Sequence, residues 1–142
     1  MSQWTHVNGC IRLDGMPGFP EHSKSRLVAV LGQTVRYDDD EDKWEGCTVP
    51  MGSEGSIQYD IIENPSGNAL SRYAVIIWGD LRDYEEVEKI ATWFGEIINQ
   101  WKMVRSAILE IDVEGKGAII LRTYHDEQCT LVVERIQCRN LY

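Results

Sequence analysis

The sequence predicts an α+β fold of ferredoxin-like kind: a split βαβ sandwich (βαββαβ) extended by C-terminal strands. Three observations predict it. Tyr73 to Trp78 is an unbroken apolar run of strand length, and the residues from Asp83 to Met103 carry apolar side chains at helical spacing. The remaining patterned segments alternate apolar and polar residues, so the order reads strand, helix, strand, strand, helix, strand, strand, strand. Two helices would then cover one face of a mainly antiparallel sheet. At 142 residues the chain suits a single α+β domain over positions 1–142, with its own core.

Trp4 to Asp14 alternates, with Thr5, Val7, Ile11 and Leu13 on one side and Trp4, His6, Asn8 and Arg12 on the other, which makes it a strand. Asn8-Gly9 within it points to a bulge. The run from Gly15 to Pro20 breaks the strand, and Leu27, Val28, Leu31 and Val35 then recur at helical spacing. A helix is expected over about 21–35, with Pro20 and Ser23 as start signals and Gly32 weakening its end. Asp38 to Pro50 has neither period and reads as an exposed loop. Ser56 to Ile62 alternates Ile57, Tyr59 and Ile61 inward, and the turn residues Glu63 to Asn68 return the chain for antiparallel pairing with the next strand.

That next strand, from Arg72, is apolar on both alternating faces, as suits an interior strand covered on both sides or flanked within a sheet. The helix after it is the strongest element in the chain. Val87, Ile90, Ala91, Phe94, Ile97, Ile98 and Trp101 fall on one stripe, and Asp83 with Glu86 three residues later reads as a capping box. Ala107, Leu109, Ile111 and Val113 alternate in a further strand. Glu114 to Gly117 turns it into Ala118–Tyr124, His125 to Glu127 makes another turn, and Leu131 to Ile136 supplies the last strand.

Composition narrows the function classes. Hydrophobic residues at 43% and charged residues at 26% are globular values. A net charge of −9 disfavours attraction to nucleic-acid phosphates and anionic membranes, so neither direct nucleic-acid nor membrane binding is expected. Cys10, Cys47, Cys129 and Cys138 form no CxxC pair, and no signal segment or membrane-length apolar run is present. A cytoplasmic protein with reduced thiols is the expectation. His6, His22 and His125 have no metal-ligand spacing, so neither a metal nor a cofactor is expected.

Met51 to Ser56 is the most suggestive loop, because Gly52, Ser53, Gly55 and Ser56 just before a strand can offer backbone N–H groups and hydroxyls to an anion. The plain alternative is a flexible turn. No GK[ST] follows, so it is not a P-loop. Arg72 and Arg82, with Arg12 and Lys24, are the cations that would favour the anion reading if they converge on it. Asp38, Asp39, Asp40, Glu41 and Asp42 lack the glycine and terminal glutamate of a calcium loop. With Trp44 beside them, they read as a solvated loop or as a contact surface for a basic partner. Trp93 lies off the helical stripe, and Trp4 and Trp44 lie outside the clearest buried patterns. Partial burial against the sheet or a dimer partner is the plainer reading of these tryptophans, with base stacking or a protein interface as the alternative. A free sheet edge is compatible with a homodimer. No nucleophile elbow or other catalytic constellation is evident.

The strings WTHVNGCIRLDG, PMGSEGSIQYDIIENP and WGDLRDYEEVEKIATWF together resemble a group of short bacteriophage and prophage proteins, over most of the chain. The resemblance implies action against host defence in the host cytosol, by sequestering a nucleotide signal or by blocking a defence protein. The resulting expectation is a non-enzymatic counter-defence protein that binds a small anionic nucleotide through Gly52, Ser53, Gly55, Ser56, Arg72 and Arg82. The rivals are an acidic inhibitor of a host defence protein, acting through Asp38–Asp42 and Trp44, and a nucleotide hydrolase.

Overall fold

The chain runs through β1 (Trp4–Asp14), α1 (Lys24–Leu31), β2 (Gln58–Glu63), β3 (Ser71–Arg82), α2 (Val87–Gln100), β4 (Val104–Val113), β5 (Gly117–His125) and β6 (Leu131–Cys138). The structure is a computed structural model that describes residues 2–15, 23–32, 49–64, 71–101 and 103–138. Among the described residues the architecture is α+β, with two helices and a six-stranded sheet in the order β2-β3-β1-β4-β5-β6. Every neighbouring pair is antiparallel, including the β2–β3 pair that the turn residues predict.

Register explains the core. Val7 lies opposite Gly79 and Ile111, and Ile11 opposite Val75 and Ala107, so the inward alternation of β1 coincides with that of both neighbours. Phe94, Ile90 and Ile97 of α2 and Leu27 and Leu31 of α1 join these strand residues in one buried cluster. Phe94 is fully buried, and truncating such a side chain typically costs about 3–5 kcal/mol. The register shift in β1 falls between Arg12 and Asp14, not at Asn8-Gly9, which pairs regularly. Gly9 is there for closeness: a Cβ on it would lie 2.6 Å from Leu109 Cδ1 and 2.7 Å from the Ile108 carbonyl.

The helices begin differently from each other. Ser23 caps α1, accepting the Arg26 N–H on its hydroxyl, and Gly32 ends it at φ 89° with its N–H donated to Val28 O. The rest of the predicted 21–35 span lies outside the described residues. In α2 the expected Asp83–Glu86 capping box does not form. The helix starts at Val87, and Glu86 at its N-cap makes no side-chain cap bond. The reason is the connector before it: Tyr84 is buried and its carbonyl accepts the Thr5 hydroxyl at 2.8 Å, which ties residues 83–86 to β1 instead. Asp83 takes a positive φ of 52° and accepts from the Gln3 N–H and the Ser53 hydroxyl.

Two tryptophans take contrasting places. Trp93, off the helical stripe, is nonetheless buried at 6% exposure and donates its indole N–H to Leu31 O, so it joins α2 to α1. Trp78 is 43% exposed. β3 is flanked by β2 and β1 within the sheet, and its outward residues, Ala74, Ile76 and Trp78, are covered by no helix among the described residues; they share the open face with Cys10 and Ile108. Among the described residues no helix is long and apolar enough to cross a membrane.

Candidate functional site

The structure separates the residues proposed from sequence into two groups at opposite ends of β3. Arg82 reaches the Gly52–Ser56 loop. Arg72, ten residues earlier on the strand, lies ~33 Å away at a rise of ~3.3 Å per residue.

At the Arg82 end, the loop closes on itself and on the strand terminus. Gly52 donates its N–H to Gly55 O, Ser53 donates to Arg82 O, and Arg82 donates its own N–H to Glu54 O. The Ser53 hydroxyl lies against Arg82 O and the Asp83 carboxylate, and buried Ser56 accepts from the Gln58 carboxamide. The glycines serve this docking. A Cβ on Gly52 would lie 2.5 Å from the Arg82 carbonyl, and one on Gly55, at φ 77°, would lie 2.0 Å from the Asp80 carbonyl. The Arg82 guanidinium pairs with Glu54 at 3.0 Å and donates to the Ser2 hydroxyl at 2.8 Å. The Gly52 and Ser53 N–H groups, the Ser53 hydroxyl and the Arg82 guanidinium are therefore already engaged. The trough beside the loop, about 500 Å³ between the loop and α2, has Glu86, Glu88 and Glu96 on its walls, and its Lys89 pairs with Glu86 at 2.7 Å.

The other end is different in character. A cavity of about 580 Å³ opens between α1, the last turn of α2 and the ends of β1, β3 and β4. Leu13, Leu27, Val30, the Tyr73 ring, Trp101 and Met103 give it apolar walls, and Arg26, Asn99, Gln100 and Asp14 supply polar groups. The fold brings them together simply. Leu13 and Tyr73 are adjacent across the β1–β3 ladder, and the Asp14 N–H donates to Met103 O at 2.9 Å, which closes β1 onto the start of β4. Arg26 and Val30 share one face of α1 four residues apart.

Arg72 stands beside this cavity, stacking on the Tyr73 ring at 5.5 Å and donating from Nε to its hydroxyl at 3.1 Å. That hydrogen bond first, with smaller contributions from the charges of Tyr73 and Glu63, raises its affinity for its proton. It also pairs with Glu63 at 3.1 Å. Arg105 holds Asp14 at 2.9 Å. Arg26 is exposed, and its guanidinium makes no ion pair among the described residues. Trp101 is 5% exposed, and its indole N–H is enclosed without an acceptor, a buried donor that costs about 1–3 kcal/mol to leave unmade. Periodicity places Trp101 in the core but says nothing of its orphan donor, and Arg26 carries no motif that could mark it.

A third cluster lies at the β1–β3–β4 corner, where His6 bridges Asp80 at 2.6 Å and Glu114 at 3.1 Å. The hydrogen bonds to Asp80 and then Glu114 raise the His6 pKa above its ordinary 6.5, against a smaller opposing effect of burial. Among the described residues no group of three or more His, Cys, Asp and Glu side chains is arranged to hold a metal. Asp38, Asp39, Asp40, Glu41, Asp42 and Trp44 lie outside the described residues. No family model matches the chain, and neither a curated protein nor a solved structure matches it.

Proposed function

We propose that this chain is a non-enzymatic binding protein that holds a small anionic ligand of nucleotide size in the cavity between α1, the end of α2 and the ends of β1, β3 and β4. By holding the ligand, it withdraws it from other receptors. The observation that carries this reading is the cavity itself. Its volume of about 580 Å³ falls within the ~300–1,000 Å³ of small-molecule sites, and its apolar walls with a few polar groups follow their usual pattern. Arg26 supplies an uncommitted cation for a phosphate or carboxylate. Tyr73 and Trp101 supply aromatic surface for a base, and Asn99 and Gln100 donors and acceptors for its edge. Arg72 fixes the Tyr73 hydroxyl, while the Gly52–Ser56 loop and Arg82 brace the far end of β3. A small turn of the Trp101 indole would give its N–H a ligand acceptor. The resemblance to phage proteins supplies a setting, counter-defence by sequestration of a nucleotide signal. We also infer a split βαβ arrangement of ferredoxin-like kind for β1 to β4. The order β2-β3-β1-β4 supports it, since each βα unit has one strand inserted between its two strands.

The test is thermal and fluorescence titration against a panel of cyclic nucleotides, cyclic oligonucleotides and ADP-ribose derivatives. A ligand at a hundredfold over its Kd is expected to stabilise the wild type by about 2.7 kcal/mol. It should also change tryptophan emission, because Trp101 lines the cavity. Arg26→Glu is expected to remove both effects while leaving the unliganded melt intact. Ligand recovered unaltered after denaturation supports sequestration over turnover, and flat melts across the panel would reject the reading.

A further inference from the structure

The sheet has two faces, and among the described residues only one of them carries helices. On an antiparallel sheet with one face in water, the outward alternate positions are ordinarily polar. Here they are not. Ile62 is 51% exposed, Ile108 49%, Tyr124 46% and Trp78 43%, and Ile76, Ile120, Val132 and Ile136 on the same face are partly exposed. Cross-strand register gathers them into two patches, one on β2–β3 and one on β5–β6, with Cys10 and Ile108 between them. One row runs Asp60, Ile76, Cys10, Ile108, Arg122, Glu134. The next runs Gln58, Trp78, Asn8, Glu110, Ile120, Ile136.

We propose that a second copy of this chain covers this face, the two open sheets packing into a sandwich about a twofold axis that runs parallel to the strands between β1 and β4. The strand order itself supports this occupant. The axis exchanges β1 with β4, β3 with β5 and β2 with β6, and leaves each row facing itself. Trp78 of one copy then lies over Ile120 of the other, Ile62 over Val132, Ala74 over Tyr124, and Cys10 over Ile108. The polar positions match as well: Asn8 meets Glu110, His6 meets Asp112, and Arg12 meets Ser106. The Arg122 stem covers Ile76. The like-charged match, Asp60 against Glu134, falls at the rim, where water screens it and Glu134 is already held by Arg122 at 3.0 Å. Aligned sheet packing with faces ~10 Å apart is the ordinary sandwich geometry.

Size agrees. Six strands at ~4.8 Å spacing span about 24 Å, and the rows extend about 20 Å along the strands. The footprint on each copy is then about 480 Å², so the pair covers about 960 Å² in total, close to the ~1,000 Å² at which specific interfaces begin. The face is independent of the cavity, which lies on the helical side of the sheet, so the dimer stands or falls apart from the ligand reading.

Light scattering on the full chain between ~5 and ~200 µM tests it. Twice the chain mass is expected, falling to a single chain in Trp78→Arg and, separately, in Ile108→Arg. Both substitutions sit on exposed side chains, so each variant should keep the wild-type circular dichroism spectrum. Ser106→Ala, which removes only a small polar group from the same face, should remain a dimer. A one-chain mass across the whole range overturns the proposal, whether the face is then bare or covered by another segment of this chain. So does a dimer that neither arginine variant disrupts, because its interface must lie elsewhere.

Discussion

His6 shows how a single side chain can tie the sheet corner together and make stability depend on pH. Its ring nitrogens meet Asp80 from β3 and Glu114 from the β4–β5 turn, and both carboxylates favour the imidazolium. The folded-state pKa therefore lies above the ordinary 6.5 of the unfolded chain. The stability contributed by this group is complete below about pH 6.5 and is lost as pH rises through the folded value. Urea midpoints for wild type and His6→Gln, measured from pH 5.5 to 8.5, should converge as pH rises, with the wild type ahead at the acid end. A constant gap across that range would show that His6 acts through packing alone.

Among the elements, α2 contributes more residues to the buried cluster than any other and also holds an evident imperfection. Gly95 lies in the middle of the helix, and a Cβ there would meet nothing within 4 Å. Gly95→Ala is expected to stabilise the fold by about 0.5–1 kcal/mol, since glycine gives up more backbone freedom in a helix than alanine. Thermal unfolding would read this directly, and a lowered midpoint would mean the helix is strained at that point. The apolar stripe of α2 was legible because 3.6-residue spacing follows from helix geometry alone, and the inward residues of β1 and β4 were legible because strand period is exact. The start of α2 was not, because a buried tie between Thr5 and Tyr84, distant in sequence, overrides the local Asp83–Glu86 signal. For β3, apolar residues on both faces could mean a covered strand or an open face, and only the positions of the helices decide between them. The neighbourhood of Arg82 and the Gly52–Ser56 loop followed from the predicted β2–β3 pairing. The cavity did not, since Leu13, Arg26, Tyr73 and Trp101 come from four separate elements whose approach no local pattern encodes.

For the molecule as a whole, the position of β1 matters most. Among the described residues it precedes every other element and yet is an interior strand of the sheet, paired along nearly its whole length with β3 on one side and β4 on the other. β6, by contrast, is an edge strand with a single neighbour, anchored to α2 by the bidentate Arg135–Glu88 pair at 2.8 and 2.9 Å. A chain lacking residues 2–14 is expected to show no cooperative unfolding transition, whereas a chain ending at Asp126, without β6, should keep one at lower urea concentration. Circular dichroism melts of the two truncations check this, and equal behaviour would mean that β1 is dispensable to the core.

The same placement bears on how the protein is made. Synthesis delivers β1 before both of its neighbours, and the second of them, β4, is completed only roughly a hundred residues later, about 5–20 s at ~5–20 residues per second. Until β3 and then β4 emerge, the chain presents Val7, Ile11 and Leu13 on a strand with at least one open edge. The ribosome-bound nascent chain is therefore the stage at which this protein is most exposed to aggregation, and at which a chaperone would have most to hold.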